Sequence, residues 1–252
     1  MRVPLPRAAR NRFFLYFPCA GRKMTGSRMN TPLLRCRDLH CSRPLWREGA
    51  SNVRGINADF PPARFHVLCG PAGCGKNLLA HLLGLLEKPD RGEIWLGDVD
   101  ATALDVSARD ALRQRNFGFL FPACALLPSL SVLENIAFPV LKAGGCSDAE
   151  QADRTLSALQ FCGLEDAADL PPSRLSQERG AIASFARAIV HRPAVLIAES
   201  PAAEEILVPL ARRAVDELRL TVVWVTHPGS PACVAADRVL AMDDGKIAAR
   251  EQ

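Results

Sequence analysis

The strongest chemical signal in the sequence is a glycine-rich segment that ends in a lysine and an asparagine. It reads Gly70-Pro71-Ala72-Gly73-Cys74-Gly75-Lys76-Asn77 and is followed by Leu78. Two glycines with four residues between them, Gly70 and Gly75, and a following lysine form the phosphate-loop pattern, in which backbone N–H groups surround a phosphate and the lysine reaches its oxygens. Residues 70–78 are therefore predicted to bind the phosphates of a nucleotide.

The residue after the lysine departs from this pattern. Serine or threonine is typical there and binds Mg²⁺ through its hydroxyl, whereas this chain has Asn77. Mg²⁺ requires near-ideal octahedral geometry, and an amide oxygen on a longer arm satisfies it poorly. We therefore expect a weakened Mg²⁺ site at Asn77.

Strand-like and helix-like patterns alternate around the loop. A β-rich run at residues 65–69 precedes it and a leucine-rich helix at 78–86 follows. Strands are predicted at 33–39, 93–97, 117–121, 194–198 and 221–225, helices at 108–115, 179–190 and 204–218, and a hairpin at 239–242 and 246–248. Apolar strands separated by helices predict an α/β fold with a mostly parallel sheet covered on both faces.

One region interrupts this alternation. Residues 123–173 contain two segments with apolar positions at helical spacing, 132–140 and 150–162. Gly144-Gly145 separates the two segments, and Pro171-Pro172 follows the second. This pattern predicts an inserted helical subdomain at about residues 123–178.

Composition and charge exclude several classes of protein. Hydrophobic residues make up 48% and charged residues 23%, which is typical of a globular domain. No apolar run approaches the roughly 20 residues that cross a bilayer. Residues 1–30 hold seven of the 31 basic residues and no acid, so the remainder has 24 bases against 27 acids. A mildly acidic body argues against a nucleic-acid partner.

The basic tail at residues 1–30 leaves two interpretations open. It is either a disordered tail or a misassigned start, or else a targeting segment or membrane contact. The domain proper is expected to cover residues 31–252. The nine cysteines include no Cys-x-x-Cys pair and no zinc-type spacing with histidine. Their irregular placement predicts reduced thiols in the cytosol.

From residue 33 to the end, the chain resembles the ABC transporter ATPases, most closely the subfamily that powers lipoprotein release and macrolide export. Besides the phosphate loop, the resemblance rests on residues 81–86, 117–121, 126–135, 175–176, 186–188, 225–227 and 236–239. It implies a P-loop NTPase (RecA-like) core with an antiparallel β subdomain and a helical subdomain. It also implies ATP and Mg²⁺ as cofactors, and a second cassette and a membrane permease as partners. The protein would then lie on the cytoplasmic face of the membrane.

The resemblance assigns roles to further residues. Trp46 stands where the family stacks an aromatic side chain on adenine, with a simple packing role as the alternative. His227 matches the switch histidine that senses the γ-phosphate. Glu199 takes the place of the aspartate of the Mg²⁺ shell, and Ser200 takes the place of the catalytic glutamate. A serine hydroxyl cannot replace that carboxylate as a base.

Two further positions depart from the family. Pro122 stands where a loop glutamine contacts the metal and the attacking water. In the signature motif Ser176 is retained, but Gln177 and Glu178 replace two glycines that allow close backbone approach to the partner's nucleotide. Three hypotheses therefore stay open: a working ATPase subunit, an ATP-binding but catalytically dead regulatory cassette, and a scaffold or degenerate copy that no longer binds nucleotide.

Overall fold

The computed structural model describes residues 33–44, 50–143 and 145–248. These residues form ten strands: β1 (Leu34–Pro44), β2 (Ala50–Phe60), β3 (Phe65–Cys69), β4 (Arg91–Leu96), β5 (Val99–Asp100), β6 (Phe117–Leu120), β7 (Val195–Glu199), β8 (Thr221–Thr226), β9 (Arg238–Asp243) and β10 (Lys246–Ile247). They also form seven α-helices: α1 (Lys76–Leu83), α2 (Val106–Asn116), α3 (Val132–Ala143), α4 (Asp148–Cys162), α5 (Gln177–Ile189), α6 (Glu204–Leu218) and α7 (Pro231–Ala235).

The strands are arranged in two sheets. The larger has the order β10-β9-β3-β8-β7-β6, and all its neighbouring pairs are parallel except the β9–β10 hairpin. The smaller has the order β2-β1-β4-β5 and is antiparallel throughout. The predicted α/β fold, with a mostly parallel sheet and an antiparallel subdomain, is confirmed.

Strand β8 shows why this sheet is covered on both faces. All six of its residues are buried. Val222 and Trp224 lie in one hydrophobic cluster, and Val223 and Val225 lie in another. Because successive side chains of a strand point to opposite faces, the two clusters are the packed layers above and below the sheet.

Most predicted segments match observed elements with ends displaced by a few residues, but β2, β5 and α7 had no prediction. The two helical patterns of the inserted region are α3 and α4, which pack against each other and against α5. Within the described residues, no helix is long and apolar enough to cross a membrane.

Asn135 organises the loop that leads into α3. It is completely buried, and its amide oxygen accepts a hydrogen bond from the backbone N–H of Leu127 at 2.7 Å. Its amide nitrogen lies 2.9–3.1 Å from the backbone oxygens of Leu127, Leu130 and Ser131. One side chain therefore satisfies several backbone groups of residues 127–131.

We expect Asn135→Ala to lower the free energy of unfolding by about 2–3 kcal/mol, because buried backbone groups left without partners each cost about 1–3 kcal/mol. Urea unfolding measures this loss. The control is Asn116→Ala, since the Asn116 side chain donates one hydrogen bond, to the oxygen of Leu112. Equal losses in the two variants would contradict the role assigned to Asn135.

Candidate functional site

The phosphate loop joins the end of β3 to the start of α1, as the sequence predicts. Gly73 has φ +79°, and a Cβ added there would have no atom within 4 Å. Gly75 has φ +94°, and a Cβ there would lie 2.1 Å from the backbone oxygen of Asn52. Gly75 is thus required by packing, whereas Gly73 presents bare backbone to open space. Such an exposed backbone is what close approach of a phosphate requires.

The loop has an exposed rim and a buried base. Pro71, Ala72 and Gly73 are exposed, while Cys74 and Leu78 are buried. Cys74 is held from below, because its backbone oxygen accepts a hydrogen bond from the N–H of Gly245 in the β9–β10 turn at 2.9 Å. Gly70 lies against the same hairpin, since a Cβ there would be 2.3 Å from the oxygen of Met242. The C-terminal hairpin therefore fixes the shape of the loop.

Lys76 lies over its own loop. Its side chain is buried, with 8% of the residue exposed, and its Nζ donates a hydrogen bond to the backbone oxygen of Pro71 at 2.8 Å. The ammonium group is thereby held beside the exposed backbone of the loop. A phosphate at this position would meet both N–H groups and a positive charge.

The two predicted metal residues are in direct contact. Asn77 donates its amide N–H to one carboxylate oxygen of Glu199. The other oxygen of Glu199 lies 2.8 Å from Nε2 of His81. Both carboxylate oxygens therefore have a protein partner. Asn77 and Glu199 do provide the hard oxygen atoms that Mg²⁺ prefers, but a metal would have to compete with this network for them.

The His81–Glu199 pair perturbs both groups. The hydrogen bond to Glu199 raises the pKa of His81 above 6.5. The same hydrogen bond, together with the one that Asn77 donates, lowers the pKa of Glu199 below 4.5. The raised histidine pKa contributes stability below pH 6.5 that is lost as pH rises through the folded value. The lowered glutamate pKa contributes stability above pH 4.5 that is lost on acidification. The pair is therefore most stabilising between these two values.

We expect His81→Gln to lower Tm most between about pH 4.5 and 6.5, with a smaller loss at alkaline pH above the raised pKa of His81. Thermal unfolding of wild type and variant across this range measures the effect. His40→Gln is the control, because the His40–Asp38 pair is exposed and should contribute little. A Tm loss for His81→Gln that does not vary with pH would contradict the ion pair.

Ser200 is not placed to act as a base. It has φ +36°, its N–H donates to the backbone oxygen of Val225 at 2.9 Å, and its hydroxyl lies 3.2 Å from that same oxygen. The hydroxyl is thus engaged as a donor to β8. A neutral hydroxyl carries no negative charge and is too weak a base to take a proton from water.

His227 follows β8 and borders an open cleft of about 390 Å³. Glu178, Glu204 and Glu205 line the same cleft. Glu204 is fixed there, because its two carboxylate oxygens accept hydrogen bonds from Trp224 Nε1 at 2.8 Å and from the hydroxyl of Ser230 at 2.5 Å. His227, the predicted switch histidine, therefore lies in acidic surroundings.

The signature segment begins α5. Ser176 is the N-cap residue, and its hydroxyl accepts a hydrogen bond from the N–H of Arg179 at 3.2 Å. Ser176, Gln177 and Glu178 are all exposed. Trp46 lies outside the described residues.

Sequence reasoning did not single out His81 or Glu204. His81 stands four residues after Asn77 on α1, a spacing that places both side chains on one helix face. That spacing could have identified it as a neighbour of the metal residues. Glu204 has no comparable signal, because its partners Trp224 and Ser230 are 20 and 26 residues away.

Comparison with known proteins identifies several similar chains. A family model described as "ABC transporter" matches residues 53–203. The lipoprotein-releasing system ATP-binding protein LolD 1 of Rhodopirellula baltica is 32% identical over 216 residues, covering 83% of this chain and 94% of its own. The methionine import ATP-binding protein MetN of Thermobifida fusca is 34% identical, covering 83% of this chain and 67% of its own.

Longer relatives match over part of their length. The macrolide export ATP-binding/permease protein MacB of Syntrophobacter fumaroxidans is 34% identical, and the match covers 83% of this chain but 31% of that protein. Among solved structures, the dimeric ATP-binding cassette MJ0796 bound to ADP and phosphate has a TM-score of 0.75 and 25% identity, covering 87% of this chain and 98% of that chain.

Proposed function

Because this chain belongs to the ABC transporter family, we propose that it is the ATP-binding subunit of a transporter of the lipoprotein-release or macrolide-export type, with impaired ATP hydrolysis. One observation carries the proposal. A phosphate loop that keeps its glycines and Lys76, with Lys76 held beside bare backbone, stands next to a second motif in which the Ser200 hydroxyl is hydrogen-bonded to the backbone oxygen of Val225. The first arrangement supports binding and the second opposes turnover.

Impaired hydrolysis follows from the absence of a general base at residue 200. General acid–base catalysis contributes about 10²–10⁴-fold to rate. The nearest acidic neighbour in the chain, Glu199, has both carboxylate oxygens engaged by Asn77 and His81.

The type of transporter is inferred from both sequence stretches and relatives. Relatives named for lipoprotein release and for macrolide export match over more than four fifths of this chain. Relatives named for methionine and for sulfate import match at similar identity. We favour export or release because residues 81–86 and 126–135 resemble that subfamily. The transported substrate does not contact an ATP-binding subunit of this kind, so the proposal names none.

A second cassette and a membrane permease are the proposed partners. The described surface of the helical region, residues 123–178, exposes apolar side chains that include Leu127, Phe138, Leu141 and Leu156. We propose that the permease contacts exposed apolar side chains of this region, among them Leu127, which lies in the family-like stretch 126–135. Residues 31–252 are then the nucleotide-binding domain, on the cytoplasmic face of the membrane.

A regulatory cassette that binds ATP without turning it over is the second candidate. The acidic surroundings of His227 and the exposed Gln177 and Glu178 favour it. A carboxylate that faces the γ-phosphate across a dimer interface repels it. In this form the chain would bind ATP and thereby regulate an intact partner cassette that carries out hydrolysis.

Mg²⁺ dependence of ATP binding tests the proposal directly. We expect wild type to bind a fluorescent ATP analogue with nearly the same Kd in Mg²⁺ and in EDTA, because Asn77 and Glu199 are bonded to each other. Asn77→Ser restores the usual hydroxyl ligand and should make Mg²⁺ tighten binding by about tenfold. Asn116→Ser is the matched control. Strong tightening by Mg²⁺ in wild type would show that the metal site is intact, and no binding in either condition would favour the scaffold hypothesis.

A further inference from the structure

Two cysteines that are distant in sequence lie side by side next to the phosphate loop. The sulfur atoms of Cys69 and Cys233 are 3.8 Å apart, although the residues are separated by 164 positions. Cys69 ends β3 and directly precedes Gly70. Cys233 lies in the middle of the short helix α7.

The surroundings of the pair suit a bond between the sulfurs. A disulfide is about 2.05 Å long, so the sulfurs need to approach by less than 2 Å. Cys69 lies in the central sheet, whereas α7 is five residues long and packs on β3. The approach therefore requires a small displacement of α7 and leaves the sheet in place. Cys233 is partly exposed and Cys69 is 8% exposed, so a reagent from solvent meets Cys233 first.

We propose that Cys69 and Cys233 form a reversible disulfide, which makes them a thiol-modification site of this protein. The oxidant is a peroxide or a small disulfide. With hydrogen peroxide, the sulfur of Cys233 attacks one oxygen, the O–O bond breaks, and a sulfenic acid and water form. The sulfur of Cys69 then attacks the sulfur of Cys233, the S–O bond breaks, and a second water leaves. Two thiols are oxidised and one peroxide is reduced to two waters, and a dithiol reductant reverses the change.

The reduced form is the resting state. Burial raises the pKa of the Cys233 thiol to about 11, and the contact with Cys69 and the charge of Glu204 act in the same direction. Because the thiolate is the reactive species, oxidation of the pair at neutral pH is slow, and the disulfide accumulates only with sustained exposure to oxidant.

The disulfide would tie the segment after His227 to the strand that enters the phosphate loop. Cys233 is six residues from His227, whose backbone oxygen lies 4.0 Å from the Cys233 sulfur. Once linked, Cys233 is held beside Cys69, which restrains the short helix α7 that follows His227. Any effect of this restraint on nucleotide sensing rests on the proposed function, whereas formation of the bond does not.

The test is oxidation of the reduced, folded full-length chain with hydrogen peroxide, followed by alkylation with N-ethylmaleimide, digestion without reduction, and mass spectrometry. We expect loss of two of the nine thiols, one dominant linked peptide pair containing Cys69 and Cys233, and recovery of both thiols in dithiothreitol. Cys233→Ser should abolish the linked pair, and Cys124→Ser, at another partly exposed cysteine, should keep it.

Several outcomes would overturn the proposal. These are full alkylation of Cys69 and Cys233 after oxidation, pairing of either with a different cysteine, or a linked pair that appears only after urea treatment. ATP binding by the same samples separates this proposal from the proposed function. A cross-link in a chain that does not bind ATP would support the disulfide and contradict ATP binding. A chain that binds ATP but forms no cross-link would support ATP binding and contradict the disulfide.

Discussion

Lys76→Ala is expected to weaken ATP binding by about 10²-fold, since loss of a charge-assisted contact with phosphate costs about 1.5–3 kcal/mol. In the free protein Lys76 is buried and held by Pro71, so its ammonium group is already positioned beside the loop. Equilibrium titration with a fluorescent ATP analogue measures the change in Kd.

Lys142→Ala provides the matched control for this variant. Lys142 is exposed on α3, where its Nζ lies 5.9 Å from the ring centre of Phe138, and its loss should leave Kd unchanged. A tenfold change in Kd corresponds to about 1.4 kcal/mol, so a change within about threefold is smaller than the loss of a charge-assisted phosphate contact. If Lys76→Ala shows so small a change in ATP affinity while its Tm is preserved, the loop is not a phosphate site.

Ser200→Glu is expected to raise ATP hydrolysis by about 10²-fold or more when the signature segment is also restored by Gln177→Gly and Glu178→Gly. The glutamate supplies the missing carboxylate, and the two glycines remove bulk and charge from the exposed start of α5. Phosphate release from Mg-ATP measures the gain relative to the double-glycine parent.

Ser200→Gln in the same parent separates charge from size, since glutamine has the length of glutamate without its basicity. We expect no gain from it. Equal gains from the two substitutions would mean that packing at residue 200, not a base, limits turnover. No gain from Ser200→Glu in a folded, ATP-binding protein would show that the missing carboxylate is not the limiting defect.

Much of the fold follows from local patterns in the sequence. The phosphate loop, the helix that follows it and the buried strands are encoded by glycine spacing and apolar runs, which is why their predicted and observed positions agree. Strand β2 has a weaker signal, because it has as many polar as apolar residues and contains Gly55 at φ +67°. It is a strand because it pairs with β1 along its whole length. Helix α7 is missed since it has five residues and one N-cap, Ser230.

The candidate site is less predictable than the fold. The roles of Lys76 and Asn77 follow from their place in the loop motif. The contact of His81 with Glu199 joins residues 118 positions apart and depends on the packing of α1 beside β7. The bond from Ser200 to Val225 likewise depends on neighbouring strands. The sequence therefore predicts which groups are missing, and the structure adds what the remaining groups contact.

Phosphate release by the purified full-length chain, compared with Lys76→Ala, tests the central claim most directly. The measurement uses Mg-ATP at protein concentrations high enough for dimerisation, and ATP binding is recorded in the same samples. We predict saturable binding by wild type and release no faster than that of Lys76→Ala. Turnover clearly above Lys76→Ala would contradict the claim and would mean that Glu199 or another carboxylate acts in place of Ser200.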